Sequence, residues 1–292
     1  MSVFLLNAWA LFPMKHLRYL GFLFVLLSFQ AQPAAMLPKP LPQAAFLLGE
    51  HLTYKVHYGW LDAGIATMKI DPQIHEVHGK PCYKIDVAGA SKGLLYLFLK
   101  MKNEFGSYLD TTTLVSQGSY RFIEEGKYRK NERVSFDHDK KLAIVERLAE
   151  DTQEPVDTVA FSVCDHIQDI VSSWYVLRTH DFKQMQVGEL LSNAIFFDDT
   201  LYQNFQTKFL GKKTIKTKFG YLDALVLAPL VPFTTNGPSI FAGENSVELF
   251  LSDDENKIPL KIKIKLIVGA VEIELIKYQG LQHALKKSQK PH

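Results

Sequence analysis

The sequence predicts a mainly β protein: a curved antiparallel sheet or partly open β-barrel with one covering helix. Three features carry that expectation: apolar residues alternating with period two, turn residues at short intervals, and one stretch with helical spacing. The alternation is most regular between Val247 and Leu275. Val247, Leu249 and Leu251 form one apolar set, every second residue from Ile258 to Val268 a second, and Val271, Ile273 and Leu275 a third. Successive strand side chains point to opposite faces, so each set can line one face of a sheet. A turn at Asp253-Asp254-Glu255-Asn256 would pair Leu251 with Ile258, Leu249 with Leu260 and Val247 with Ile262, with Glu248 opposite Lys261. A Gly269-Ala270 turn would pair Val268 with Val271, Leu266 with Ile273 and Ile264 with Leu275, with Lys265 opposite Glu274. A bulge at Gly269 inside one long strand is the competing reading of the same change of parity.

The earlier elements follow the same logic. Leu52, Tyr54, Val56 and Tyr58 alternate, Gly59 to Gly64 turns the chain, and Ala66, Met68 and Ile70 return on the same face. Asp71-Pro72 and His78-Gly79 punctuate the chain before a strand at Cys82 to Val87. Leu94, Leu95, Phe98 and Met101 suit a short helix over Gly93 to Met101, with Ser91 as cap. Strands are expected at Phe105 to Leu109, Leu114 to Phe122, Tyr128 to Phe136 and Leu142 to Leu148, and the acidic, aperiodic stretch Ala149 to Val159 reads as a loop. Ile167, Ile170, Val171, Trp174 and Leu177 then form a helical stripe. Asp165 would cap that helix, and Arg178 and His180 would sit at its negative end. Further strands are expected at Gln186 to Phe197, Tyr202 to Leu210, Lys213 to Phe219 and Ala224 to Leu230, then a loop from Val231 to Ser246. The segment from His57 to Ala63 echoes that from Lys218 to Ala224, too briefly to establish a duplication.

The ends set the expected organisation. Lys15, His16 and Arg18 precede an apolar run from Leu20 to Phe29 and small residues at Ala31, Ala34 and Ala35, the order of a cleavable signal peptide over residues 1–35, with Met14 the expected start. An uncleaved N-terminal anchor helix is the alternative; after cleavage no stable transmembrane anchor is expected. A Pro-rich linker with Pro38, Pro40 and Pro42 spans 36–48, a single β-rich domain 49–280, and a polar tail 281–292. Residues 1–35 hold Lys15 and Arg18 and no acidic residue, so the rest of the chain carries 31 basic against 31 acidic residues. That balance gives no electrostatic footprint for nucleic acid. The basic cluster Lys127, Arg129, Lys130 and Arg133 reads as a solvated strand face. Cys82 and Cys164 fit either a disulfide or two small buried residues, and the sequence alone does not prove the pair.

Gly49-Glu50 with Leu52 and Tyr54, Tyr58-Gly59 and Ala63-Gly64 together resemble the opening motif of the bacterial domain-of-unknown-function family 3108. The resemblance continues in Asp169-Ile170, Tyr175 and Leu177-Arg178, and is most specific in Leu251-Ser252-Asp253-Asp254-Glu255-Asn256-Lys257-Ile258-Pro259 with Gly269 beyond it. It implies an exported, mostly β protein of the Gram-negative envelope without an assigned activity, similar in architecture to periplasmic lipoprotein carriers. It carries over no functional residues.

The residues themselves hold no catalytic signature. No Gly-x-Ser-x-Gly elbow or phosphate-cradling Gly-rich loop is present, and the acids of Ser252 to Asn256 lack the spacing of a calcium loop. His166 and Asp169, with His180 and Asp181 beyond, lack a third metal ligand, so neither metal nor cofactor is expected. The expected site is instead the mouth of an apolar interior lined by Tyr54, Tyr58, Phe98, Trp174 and Phe241, aromatics that a packed core would also use. The expected role is a periplasmic, non-enzymatic protein that binds or carries a hydrophobic envelope component, a lipid or acyl chain. The alternatives are a scaffold or accessory subunit with an envelope protein partner and, third, an enzyme without a local motif.

Overall fold

The computed structural model describes residues 45–93, 96, 100–230, 242–243 and 245–290. The first arm of the chain comprises β1 (His51–Tyr58), β2 (Leu61–Val77), β3 (Lys80–Ser91), β4 (Met101–Asp110), β5 (Ser116–Glu125), β6 (Tyr128–Asp137), β7 (Leu142–Leu148) and β8 (Pro155–Ser162). Helix α1 (Ile170–Arg178) follows. The second arm comprises β9 (Leu190–Phe197), β10 (Thr200–Thr217), β11 (Gly220–Pro229), β12 (Val247–Ser252), β13 (Pro259–Lys265) and β14 (Ala270–Gln279).

All fourteen strands belong to one antiparallel sheet, ordered from β8 down to β1 and then from β14 down to β9. Every neighbouring pair except β1–β14 is consecutive in the chain, most of them joined by a short turn and β11–β12 by the longer stretch 230–246. The first and last strands meet in the middle, so the edges are β8 and β9, consecutive in the chain and linked by the segment that carries α1. The edges do not pair, and the sheet is curved but not closed into a barrel. One main core cluster collects the concave face, and a smaller one forms where β6 and β7 meet Phe196 of β9.

Alternation builds that face in rows. Tyr58, Val271, Ile264 and Val247 stand side by side across β1, β14, β13 and β12. Val56, Ile273, Ile262, Leu249 and Leu227 form the next row. The three-stranded meander is thus real, and Gly269 is a turn residue, not a bulge. Its registers differ from those expected. Leu251 pairs with Pro259, one residue from the predicted match, because the turn is longer; past a bulge between Phe250 and Leu251, Leu249 pairs with Ile262 and Val247 with Ile264, two residues away. Ile264 pairs with Val271 and Lys261 with Glu274, because the second turn is the four residues Leu266 to Gly269. The second shift is even, and the first is even beyond its bulge, so the apolar sets keep their expected face. The charges still pair: Lys261 meets Glu272 and Glu274 at 2.6 and 3.0 Å, and Lys265 meets Glu248.

Other differences have local causes. Ala149 to Val159 is not all loop, since β8 begins at Pro155; as an edge strand it buries neither face and shows no apolar period. β2 runs through Asp71-Pro72 with a shift of register there. The expected Tyr202–Leu210 and Lys213–Phe219 strands are one strand, β10, kinked at Gly211. Asp169, not Asp165, caps α1, while Asp165 is exposed and pairs with Lys141 at 2.7 Å. The two echoing segments both form hairpins, but turn at Gly59-Trp60 and at Lys218-Phe219, two positions out of step. The short helix expected over Gly93 to Met101 lies mostly outside the described residues, as do the signal peptide and residues 36–44.

Candidate functional site

The two ends of the curved sheet differ. At one, β1 begins, β14 ends, and the β12–β13 turn meets the C-terminus of α1. Arg178 sits at the centre of this end with no side-chain exposure. Its Nη1 and Nη2 donate to Glu50 Oε1 and Oε2 at 2.6 and 2.7 Å. Nη2 also donates to the Ala45 carbonyl at 2.9 Å, and Nε and Nη2 donate to the Asn256 carbonyl at 3.1 and 3.0 Å. Tyr175 and Phe46 lie 5.1 and 5.4 Å from the guanidinium by ring centroid. Burial opposes the charge on Arg178, but Glu50 outweighs it and holds the group ionised.

Asn256 is brought there by the turn. Asp254 Oδ1 accepts from the backbone N–H groups of Asn256 and Lys257 and from the Ser252 hydroxyl, while Ser252 Oγ accepts from Ile258 N. The Asn256 amide then exchanges two hydrogen bonds, 2.9 and 3.0 Å, with the backbone of His283. The stretch after β14 is therefore docked: Leu281 and Leu285 pack on the main core and Ser288 N donates to Tyr221 O. Ala45 and Phe46, from the end of the expected linker, are buried too. This end is sealed. The ion pair and the turn are satisfied within the fold, while the buried Tyr54 and Tyr175 hydroxyls beside Arg178 have no hydrogen-bond partner among the described residues.

A second buried carboxylate orders the helix. Asp169 Oδ1 accepts from Val171 N and Ser172 N, and Oδ2 from the hydroxyls of Ser107 and Ser116 at 2.5 and 2.6 Å. Burial pushes its carboxyl up, against the donors that favour the ionised form. Beyond it, the β9–β10 turn reaches across the concavity to the other arm. Asp198 binds Arg121 at 2.6 Å and also Lys130, while Asp199 binds Arg147 at 2.9 Å. Arg121 is also paired with Glu132 and lies 4.6 Å from the Phe197 ring centroid. A cavity of about 20 Å³ beside Arg121 and Asp169 has room for one water and no larger ligand. Ionic contacts thus clasp the two arms where the strand ladder does not.

At the opposite end β1 finishes and β2 starts, β3 finishes and β4 starts, and β11 finishes and β12 starts. Here, among the described residues, the concave face is partly uncovered: Val56, Tyr58, Val87, Val247 and Leu266 pack on the main core yet remain half-buried. Inside the rim, Glu125 is bonded to Asn103 at 2.8 Å, and burial raises its carboxyl more than that amide lowers it.

The sequence-predicted lining divides accordingly. Tyr58 lies at the open end. Tyr54 is fully buried at the sealed end beside Arg178, and Trp174 is half-buried on α1 against the core. Phe98 and Phe241 lie outside the described residues. Sequence reasoning missed Glu50–Arg178–Asn256; the signal was present, since all three fall in the segments that carried the family resemblance. Among the described residues, no three His, Cys, Asp or Glu side chains gather as metal ligands. Cys82 and Cys164 are free.

Fold and site define an incompletely closed antiparallel β protein, with one sealed and one open end among the described residues. The chain belongs to the family described as "Protein of unknown function (DUF3108)", whose model matches residues 53–276. No curated protein matches it. A β-barrel-like protein of domain of unknown function DUF1849 from Brucella abortus has a similar fold, with a TM-score of 0.50 at 9% identity over 81% of this chain and 99% of that one. A candidate lipoprotein of Parabacteroides distasonis is more distant, with a TM-score of 0.27 at 9% identity over 80% and 98%. Among the described residues no helix is long and apolar enough to cross a membrane.

Proposed function

We propose that this is an exported, non-enzymatic protein of the cell envelope that binds a hydrophobic chain, a lipid or acyl group, at the open end of its sheet. One observation carries the reading. The apolar rows of the concave face run unbroken to that end, where Val56, Tyr58, Val87, Val247 and Leu266 remain half-buried. Apolar surface held in a concavity gains free energy when an apolar ligand displaces water from it. Export is supported by the basic, apolar and small-residue order of residues 15–35. Binding is favoured over catalysis because the buried Glu50, Asp169, Arg121 and Arg178 are engaged by partners within the fold.

Titration of the full chain with a fluorescent fatty acid tests this. Saturable binding is expected, and Val56→Asp and Val247→Asp should each weaken it by about tenfold or more, since a charge would enter the apolar rows. Absence of saturable binding by the folded wild type would sink the proposal.

A further inference from the structure

Two hairpin tips stand side by side at the open end and expose most of their apolar surface. Trp60, in the β1–β2 turn, is 89% exposed; Ile267 and Val268, in the β13–β14 turn, are 68% and 54% exposed. The tips are tied to each other. Gly59 N donates to Ala270 O at 3.1 Å and the Tyr58 hydroxyl to Val268 O at 2.8 Å. Gly269 is held at φ +79°, and a Cβ there would come 3.2 Å from the Tyr58 oxygen. The three apolar side chains therefore project from one braced platform. Nothing in the described folding core needs them there, and leaving them in water costs free energy.

We propose that this double tip is a membrane-contact point, at which Trp60, Ile267 and Val268 enter the interfacial layer of a lipid bilayer. Its chemistry favours lipid. Gly59-Trp60 and Leu266 to Gly269 carry no charge, and the charges just behind them are internally neutralised, Lys55 by Asp62 at 3.0 Å and Lys265 by Glu248. The tips themselves offer a charge-bearing protein partner no group to pair with. Three side chains offer roughly 500 Å² at most, against about 800 Å² per partner in a stable protein interface. A bilayer needs no shape complementarity, and an indole is well suited to its polar–apolar boundary. Contact by these tips would also turn the open end toward the membrane. Only that last consequence rests on the proposed function.

The test follows the emission of Trp60, taken in the full chain as the difference between wild type and Trp60→Phe. With phosphatidylcholine vesicles this share should shift to the blue, and brominated acyl chains should quench it. Ile267→Ser together with Val268→Ser should weaken vesicle partitioning by about tenfold while leaving the melting curve unchanged, because both side chains are exposed. A Trp60 share that keeps its wavelength and escapes quenching overturns the proposal, even if the chain binds vesicles through another segment. A blue shift that grows with protein concentration without vesicles also overturns it, assigning the tip to self-association. Fatty-acid binding without vesicles is read separately. Its failure with Trp60 still quenched removes the carrier reading and leaves the contact; the reverse pattern removes the contact alone.

Discussion

Arg178 and Glu50, 128 residues apart in the chain, face each other in a two-pronged ion pair, and neither side chain is more than 1% exposed. The pair joins the end of α1 to the start of β1. Through the Asn256 carbonyl it also fixes the β12–β13 turn. Removing one partner strands a charge in the core, which costs about 3–5 kcal/mol. Glu50→Ala is therefore expected to lower the unfolding free energy in urea by that amount. Replacing both residues by apolar ones should not restore it, because Arg178 also satisfies the carbonyls of Ala45 and Asn256.

The clasp between the sheet arms should open in acid. Burial works to raise the Asp198 carboxyl, but Arg121 and Lys130 outweigh it and hold it below the usual carboxylate range. A carboxylate depressed in the folded state contributes stability above its unfolded value of about 3.9, and that contribution is lost as pH falls through the folded value. Protection of the β9–β10 turn amides, taken relative to intrinsic exchange at each pH, should fall below about pH 4 in the wild type. Asp198→Asn should show the lower protection already at neutral pH and lose about 1–2 kcal/mol, a figure reduced for the solvent that reaches this carboxylate. Protection at this turn that is insensitive to both changes would show that the ion pairs do not hold the arms together.

What the sequence disclosed and what it hid follow from the same physics. Strands such as β7 and β12 were legible because one face is buried and the side chains alternate. β8 was not, because an edge strand with two wet faces carries no period. Turn lengths were misjudged at Ser252 to Ile258, where the Asp254 and Ser252 side chains bond backbone groups that a tighter turn would have paired in the ladder. Parity survived, so the faces were right even where partners were not. Arg178 had a sufficient local explanation at the end of a helix, and nothing local showed that it meets Glu50. Of the aromatics expected at a cavity mouth, Tyr58 reached the open end because it is the last residue of β1, whose earlier apolar residues Leu52 and Tyr54 are sealed in the core.

The cysteines should behave as two slow thiols. Burial, aided by Asp110, pushes the Cys82 thiol up to about 11, and burial also raises Cys164. The thiolate is the reactive species, so both are almost fully protonated at neutral pH. Titration of the native protein with a disulfide reagent should label Cys164, which is partly exposed, well before Cys82. Denaturation should release two thiols without a reductant. A count of none would mean that the chain oxidises them.

Glu125 gives a pH dependence of the opposite sign. Its carboxyl is raised in the folded state, so its contribution is fully present below the unfolded value of about 4.3 and is lost as pH rises through the folded value. Glu125→Gln keeps an acceptor for the Asn103 amide and removes the buried charge. The variant should melt higher than wild type at pH 7, with the gap closing toward pH 4. A gap that stays constant would show that Glu125 is not charged at the expense of the fold.

On the convex face, Gly106 of β4 lies under the ring of Tyr120 on β5, and a Cβ at Gly106 would come 2.1 Å from the ring's Cζ. The ring cannot simply swing away. Its hydroxyl is bonded to Asp86 on β3, and its faces neighbour Tyr108 and Phe122 at centroid distances of 6.3 and 5.5 Å. Gly106→Ala therefore forces either a backbone shift in β4 or the loss of the Asp86 bond, at about 1–3 kcal/mol. Gly106 is not in the left-handed region, so the cost arises from the ring and not from the backbone. Tyr120→Ser removes the ring, and in that background Gly106→Ala should cost little or even stabilise the strand, since alanine restricts the unfolded chain more than glycine. The coupling between the two substitutions, read from a double-mutant cycle in urea, should approach the full cost of the single one. Additive effects would mean that the glycine is there for a reason other than Tyr120.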